Sequence, residues 1–346
     1  MVQFIRKARA VSCKLLAAGL AALAVVAITG AASAQQPVRI RASWVAVPNN
    51  LPPLLFQKKE LAKNLGKTYT FEAVQYRGTP QAVTALATGD LEFALLTYSS
   101  FPLAIQNAGM SDLRIVAGEF QDGADGYYSA SFVVNKDGPI KKPEDLKGKT
   151  LAVNVKGGAT HGAVREYLLK HGLGDSDYNI LEVSFPNMRA VLAEKKVDLI
   201  SVGTPQFMWD PALQSIGRTL FTQKDAFGKT ENVIWVARSG FLEKNRAAVV
   251  DFFQDMLRAR RFYFDKANHQ EAVKIVSDFT KIAPENLDAW LFTERDFYRE
   301  PNAYPDVSTL QKNIDQLYKA GAIKQSLEVK KYVDASLIEE AVKRGP

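Results

Sequence analysis

The chain has 346 residues, 44 basic and 37 acidic, for a net charge of +7, and 47% of it is hydrophobic. Arg6, Lys7, Arg9 and Lys14 all lie in the first 34 residues, so the remainder carries 40 basic against 37 acidic residues, or +3. That remainder has no basic cluster interleaved with aromatics, which excludes nucleic acid as a partner. The one cysteine, Cys13, and only three histidines leave no thiol nucleophile, disulfide or multi-histidine centre to expect, so no metal or cofactor is assigned.

Residues 1–34 read as a cleavable signal peptide: a basic start, an apolar run over 15–27, then Ala32-Ser33-Ala34 with the small side chains a signal peptidase accepts. The apolar run is too short for a spanning helix. Cleavage after Ala34 places the rest, about 312 residues, in the periplasm, and that length suits two domains. An uncleaved anchor is the alternative.

A strand is expected over 38–45, followed by the loop Pro48-Asn49-Asn50-Leu51-Pro52-Pro53 and an amphipathic stretch through Leu54, Leu55, Phe56, Leu61 and Leu65 that Gly66 closes. Residues 68–74 alternate as a second strand. Gly78-Thr79-Pro80 opens a helix that stops at Gly89, and the apolar run 91–96 fits a buried parallel strand. A helix from Ser99 and Ser100 and a strand over 113–118 follow. After a strand at 131–135, the polar stretch from Pro139 to Leu146 marks passage to another domain. There the pattern repeats: strand 150–155, helix carrying Val164 and Leu168 with Gly172 behind it, strand 180–183, helix 188–193, strand 197–202. Residues 231–237 form a late strand that returns the chain to the first domain. From about residue 243 the pattern is helical, with an apolar stripe at Val249, Val250, Phe253, Met256 and Leu257, Asn268 and Glu271 at capping-box spacing, and Asp334 before the last helix. The expected fold is α/β: two domains, each a mixed, mostly parallel sheet flanked by helices, with a helical C-terminal tail. Domain 1 comprises 35–132 and 235–346, domain 2 comprises 133–234, and a ligand cleft lies between them.

Four stretches carry a resemblance: Gly78-Thr79-Pro80 running through Leu86 and Gly89 to Ala94; Pro143-Glu144-Asp145-Leu146-Lys147-Gly148-Lys149-Thr150; Gly157-Gly158-Ala159-Thr160-His161; and Val197-Asp198-Leu199-Ile200. In these the chain resembles the substrate-binding proteins of ABC transporters, in the branch for nitrate, taurine and aliphatic sulfonates. The resemblance implies a type II periplasmic binding protein that is a monomer, captures a small anionic ligand and delivers it to a membrane permease with a cytoplasmic ATPase. Gly203-Thr204-Pro205-Gln206-Phe207-Met208-Trp209 departs from the smaller, acidic-proline turn of many relatives, which weakens direct transfer of their specificity.

In open α/β sheets ligands bind beyond the carboxyl ends of the strands. Trp44 ends the first strand and suits stacking on a planar ligand, or covering a core edge. Arg77, before Gly78, suits a carboxylate or sulfonate, or plain solvation. Thr97, Tyr98 and Ser99 lie between a strand and a helix start, where hydroxyls cap amides that also hold anions. Gly158, Ala159, Thr160 and His161 start another helix behind a diglycine that lets a ligand approach the backbone. Thr204, Phe207 and Trp209 face the same cleft, with Tyr127 and Tyr128 as further aromatics and Asp125 as a turn residue. A sulfonate, a carboxylate or an aromatic acid fits these donors. An enzyme is the first rival, without a G-x-S-x-G, H-E-x-x-H or P-loop motif to support it; the pyrimidine-precursor synthases on this fold are cysteine-bearing. A ligand-presenting sensor subunit is the second. The expected mechanism is hinge closure around the solute.

Overall fold

The computed structural model describes residues 36–205 and 209–345. The leader and its cleavage site lie outside the described residues, as does Phe207. Among the described residues no helix is long and apolar enough to cross a membrane.

The chain opens with β1 (Val38–Trp44), which pairs in parallel with β2 (Tyr69–Gln75) in unbroken register from Val38↔Tyr69 to Trp44↔Gln75. Alternation buries Ile40 and Ala42 against the core. The stretch between these strands, read as a loop and then an amphipathic stretch, is a chain of turns with a single 3₁₀ turn, Lys59–Leu61. Pro52 and Pro53 remove two amide donors, and Leu51, Leu54 and Leu55 are all fully buried, which a winding loop achieves and a one-sided helix does not. Gly66, at φ +78°, closes it.

Helix α1 (Thr79–Thr88) leads to β3 (Ala94–Thr97), and α2 (Ser100–Ala108) to β4 (Leu113–Asp122). The run 91–96 was expected as a parallel strand. It is shorter, and its ladder partner is β10 (Thr230–Arg238), which lies antiparallel between β3 and β4. Only an isolated parallel bridge, Ala42↔Phe93, links its approach to β1. Because β10 pairs with β4 out to Thr230↔Asp122, β4 runs four residues beyond the expected Gly118.

The second sheet has the order β7-β6-β8-β5-β9. Its parallel centre is β6 (Thr150–Val153), β7 (Asn179–Glu182) and β8 (Leu199–Val202); β5 (Ser131–Asn135) pairs antiparallel with both β8 and the edge strand β9 (Gly217–Thr222). Helices α3 (Ala159–Lys170), α4 (Met188–Ala193) and α5 (Pro211–Ile216) connect these strands. The chain passes from the first strands to this sheet over residues 123–130 and returns over 223–229, where α6 (Gln223–Phe227) lies. The expected domain edges at 132 and 234 lie in β5 and β10, next to these passages. At the passages Asp122, fully buried, accepts hydrogen bonds from Ser129 Oγ and Ala130 N; Ser129 Oγ in turn accepts from Lys224 N. Burial pushes the Asp122 carboxyl up to about 7.

The tail comprises α7 (Ser239–Lys244), α8 (Arg246–Phe264), α9 (His269–Thr280), α10 (Val307–Lys319) and α11 (Ser336–Arg344). The stripe on α8 packs onto β1 and β2 through a cluster in which Phe252 stacks on Phe71 and Phe93. Asn268 makes no side-chain cap, because its amide turns back to Phe262 O; Asp334 does accept from Ser336 N at 3.2 Å.

Candidate functional site

The strand-to-helix loops of both sheet systems meet around a cavity of about 70 Å³. One wall is the segment after β1. Its shape is fixed from behind. Asn50 Oδ1 accepts from Val45 N at 2.8 Å, and the Arg299 guanidinium donates to Pro48 O at 3.2 Å. Leu51 N donates to Glu119 Oε1 at 2.6 Å, while Glu119 Oε2 accepts from Trp235 Nε1 at 2.7 Å and lies 3.4 Å from Arg260. Glu119 and Arg260 are both fully buried, so this wall hangs on an ion pair removed from solvent.

Two helices begin at the cavity. The first residue of α1, Thr79, lines it, as do Gly158, Ala159 and Thr160 at the start of α3. Neither helix has a side-chain cap; Gly78 and Gly158 occupy the N-cap positions in extended conformation. Two positive helix ends are thereby left for a ligand, with the amides of Thr79 and Gln81 on α1, where Pro80 has none, and those of the first turn of α3. Gly157, at φ +82°, makes the turn that aims α3.

The remaining polar lining consists of carboxamides and hydroxyls. Asn49, Asn50, Asn154, Gln223 and Asn232 join Thr79, Thr97 and Thr160, and among the described residues no charged side chain lines the cavity. Thr160 Oγ1 donates to Asn154 Oδ1 at 2.7 Å, and Gln223 Nε2 donates to Asn232 Oδ1 at 3.1 Å. Asn49 Nδ2 donates to Gly203 O at 2.7 Å across the cavity mouth. Asn49 Oδ1 and Gln223 Oε1 are buried without a partner.

Of the residues singled out from the sequence, Thr97, Gly158, Ala159 and Thr160 line this cavity. Tyr98, Ser99 and Gly78 stand beside it and clasp the two sides together. Tyr98 is fully buried, its hydroxyl 3.4 Å from Ala159 O, with burial pushing its pKa well up so that it remains a donor. Ser99 Oγ donates to Gly157 O at 3.2 Å. A Cβ on Gly78 would lie 2.3 Å from Val155 Cγ1, so the bare glycine is what lets α1 and the β6 loop touch.

The others lie elsewhere. Trp44 is the last residue of β1, with its ring edge-on to Phe279 at 6.3 Å. Arg77, just ahead of α1, is exposed and, among the described residues, has no hydrogen-bond or ion-pair partner. His161 accepts from Gly157 N through Nδ1 at 3.1 Å, and burial lowers its pKa, so it is a neutral brace for the diglycine turn. Thr204 is buried next to the lining residue Gly203, with its hydroxyl unpartnered. Trp209 is 38% exposed and stacks under the Arg295 guanidinium at 5.3 Å. Tyr127 packs on Tyr298, Tyr128 donates to Val202 O at 2.8 Å, and Asp125 pairs with Lys224 at 2.7 Å.

Sequence reasoning missed the carboxamides. Two signals were present: Asn154 directly follows the buried strand β6, and Asn232 stands at the polar start of β10 immediately before the apolar run Val233–Ala237, both places where a polar side chain is buried only with a reason.

A search of curated protein sequences finds no match. Among solved structures the fold is similar to the alkanesulfonate-binding protein SsuA from Xanthomonas axonopodis pv. citri bound to MOPS (TM-score 0.67, 17% identity, covering 86% of this chain and 99% of that one). It is also similar to the periplasmic nitrate-binding protein NrtA from Synechocystis PCC 6803 (0.69, 16%, 89% of each chain). The desulfurization enzyme DSZB has the same fold at TM-score 0.60 and 13% identity, covering 89% of this chain and 99% of that one. The fold is thus that of the periplasmic binding proteins, one that binding proteins and at least one enzyme share. The family model described as the NMT1-like family matches residues 33–277, well over half of the sequence, and the chain belongs to that family.

Proposed function

We propose that this protein is the solute-binding component of an ABC-type import system, and that it captures a small solute bearing an oxyanion by closing two lobes around it. The first lobe consists of β1 to β4, β10 and the tail; the second is the five-stranded sheet with its helices. The observation that carries this reading is the pair of uncapped helix starts, α1 and α3, which come from different lobes and open on one cavity. An anion there gains from both dipoles only when the lobes are together, so the ligand itself favours closure. The solutes named for SsuA and NrtA, alkanesulfonates and nitrate, are oxyanions of the kind such helix ends hold.

The lining supplies hydrogen bonds, with neither a carboxylate nor an imidazole among the described residues to act as a base; binding without turnover is therefore the reading, and DSZB marks the competing one. The first 34 residues act as the export signal, the protein works in the periplasm as a monomer, and its partner is a permease coupled to a cytoplasmic ATPase.

The test is a thermal-shift and small-angle scattering screen against alkanesulfonates, nitrate and carboxylates. A ligand at 100 times its Kd adds about 2.7 kcal/mol and raises Tm by several degrees, and the radius of gyration falls on closure. If no oxyanion changes either quantity, the reading is wrong.

A further inference from the structure

We infer that the solute is a compact oxyanion that also carries an uncharged N–H donor, such as an amide, ureido or sulfamoyl nitrogen; this rests on the solute-binding reading above. Asn49 and Gln223 both line the cavity, 6% and 0% exposed, and each ends in a buried oxygen with no partner. The orientation of Asn49 is fixed. Its other terminal atom faces the carbonyl of Gly203, which can only accept, so that atom is the nitrogen and the orphan is the oxygen. A buried acceptor without a donor costs free energy, and the cost falls on the closed form, because Asn49 and Gly203 come from opposite lobes.

The donor that relieves it is uncharged. An ammonium group would need a carboxylate, and among the described residues no carboxylate lines the cavity, while the two helix starts already supply positive potential. The oxyanion therefore belongs at Thr79 and Ala159, and the N–H group at Asn49 and Gln223. The cavity is small, which suits a compact solute.

Matched pairs that exchange NH₂ for CH₃ at constant shape isolate the donor: sulfamate against methanesulfonate, and oxamate against pyruvate. Calorimetric titration of the stripped protein is expected to show the NH₂ member of each pair binding about tenfold or more tighter. In Asn49→Leu or Gln223→Met the ratio within a pair is expected to collapse toward one, whatever happens to absolute affinity. Equal affinities within both pairs in the wild-type protein would overturn the donor assignment and leave oxyanion capture standing. Binding of neither member of either pair would overturn the donor assignment, and the oxyanion reading would then stand or fall on the wider screen.

Discussion

Substituting Gly78 by Ala adds one methyl group at the point where α1 meets the β6 loop. The backbone there is extended, at φ −168° and ψ 171°, so alanine introduces no conformational strain, and at an N-cap its cost is small. The new carbon would lie 2.3 Å from Val155 Cγ1 and 2.9 Å from Val155 Cβ, where ordinary carbon contacts are about 3.5–4.0 Å. The overlap of about 1.2 Å cannot be relieved by a rotamer change alone, because Cβ is itself too close and Val155 is β-branched and buried. Overpacking of this kind costs about 1–3 kcal/mol. Gly78 and Val155 belong to different lobes, so the cost is charged to closure and spares the open form. G78A is expected to weaken binding of the tightest oxyanion of the screen about 5- to 150-fold by calorimetry, with the ligand-free Tm within a degree or two of wild type. The double variant with Val155→Ala should recover most of the loss. Unchanged affinity in G78A, or a ligand-free Tm that falls in step with affinity, would refute the two-lobe reasoning.

Glu119→Gln leaves Arg260 buried without its counter-ion and is expected to destabilise the protein by about 3–5 kcal/mol, read as a lower urea midpoint with an unchanged slope. Asp122 and Glu231 are held near 7 and 8 by burial, above their ordinary values of 3.8 and 4.5. The folded state therefore keeps protons that the unfolded chain releases. The stability each contributes is fully present in acid and is lost as the pH rises from about 4 toward 7 or 8, a few kcal/mol for each group. Melting temperatures at pH 5 and pH 8 check this, and D122N should flatten the part of the slope due to Asp122. Tyr98→Phe keeps the packing on Phe227 but deletes the long bond to Ala159 O, so affinity should fall about two- to fivefold while ligand-free Tm holds; a larger drop in Tm would assign the hydroxyl to the resting fold.

Local rules made much of this legible. Strand β5 and helix α4 have the bounds that apolar patterning and turn residues imply, and the diglycine before α3 marked a helix start at the cavity. Pairing over long separations was not legible. Nothing near residues 91–96 announces that their partner is a strand near residue 233, or that it runs antiparallel. Trp44 is the last residue of β1 and packs on Phe279 of α9, whereas the cavity is lined by Val45 and Ala46 in the turn that follows, so a position at a strand end did not decide which way the ring goes. Arg77 was attractive for its charge, yet the anion-holding groups here are backbone amides, which every residue has and composition cannot reveal. Carboxamides escaped notice for a similar reason, since Asn is as common in turns as in sites.

The position of β10 sets an order of assembly. Residues 131–222 supply all five strands of the second sheet from one continuous segment, whereas the three-stranded sheet takes its central strand from residues 230–238. As the chain folds, the second lobe can complete itself while β3 and β4 still wait, each with an unpaired edge that was meant for β10. Closing that loop of more than a hundred residues is a slow, non-local step. The exposed edges make the half-built first lobe the species most open to edge-to-edge association.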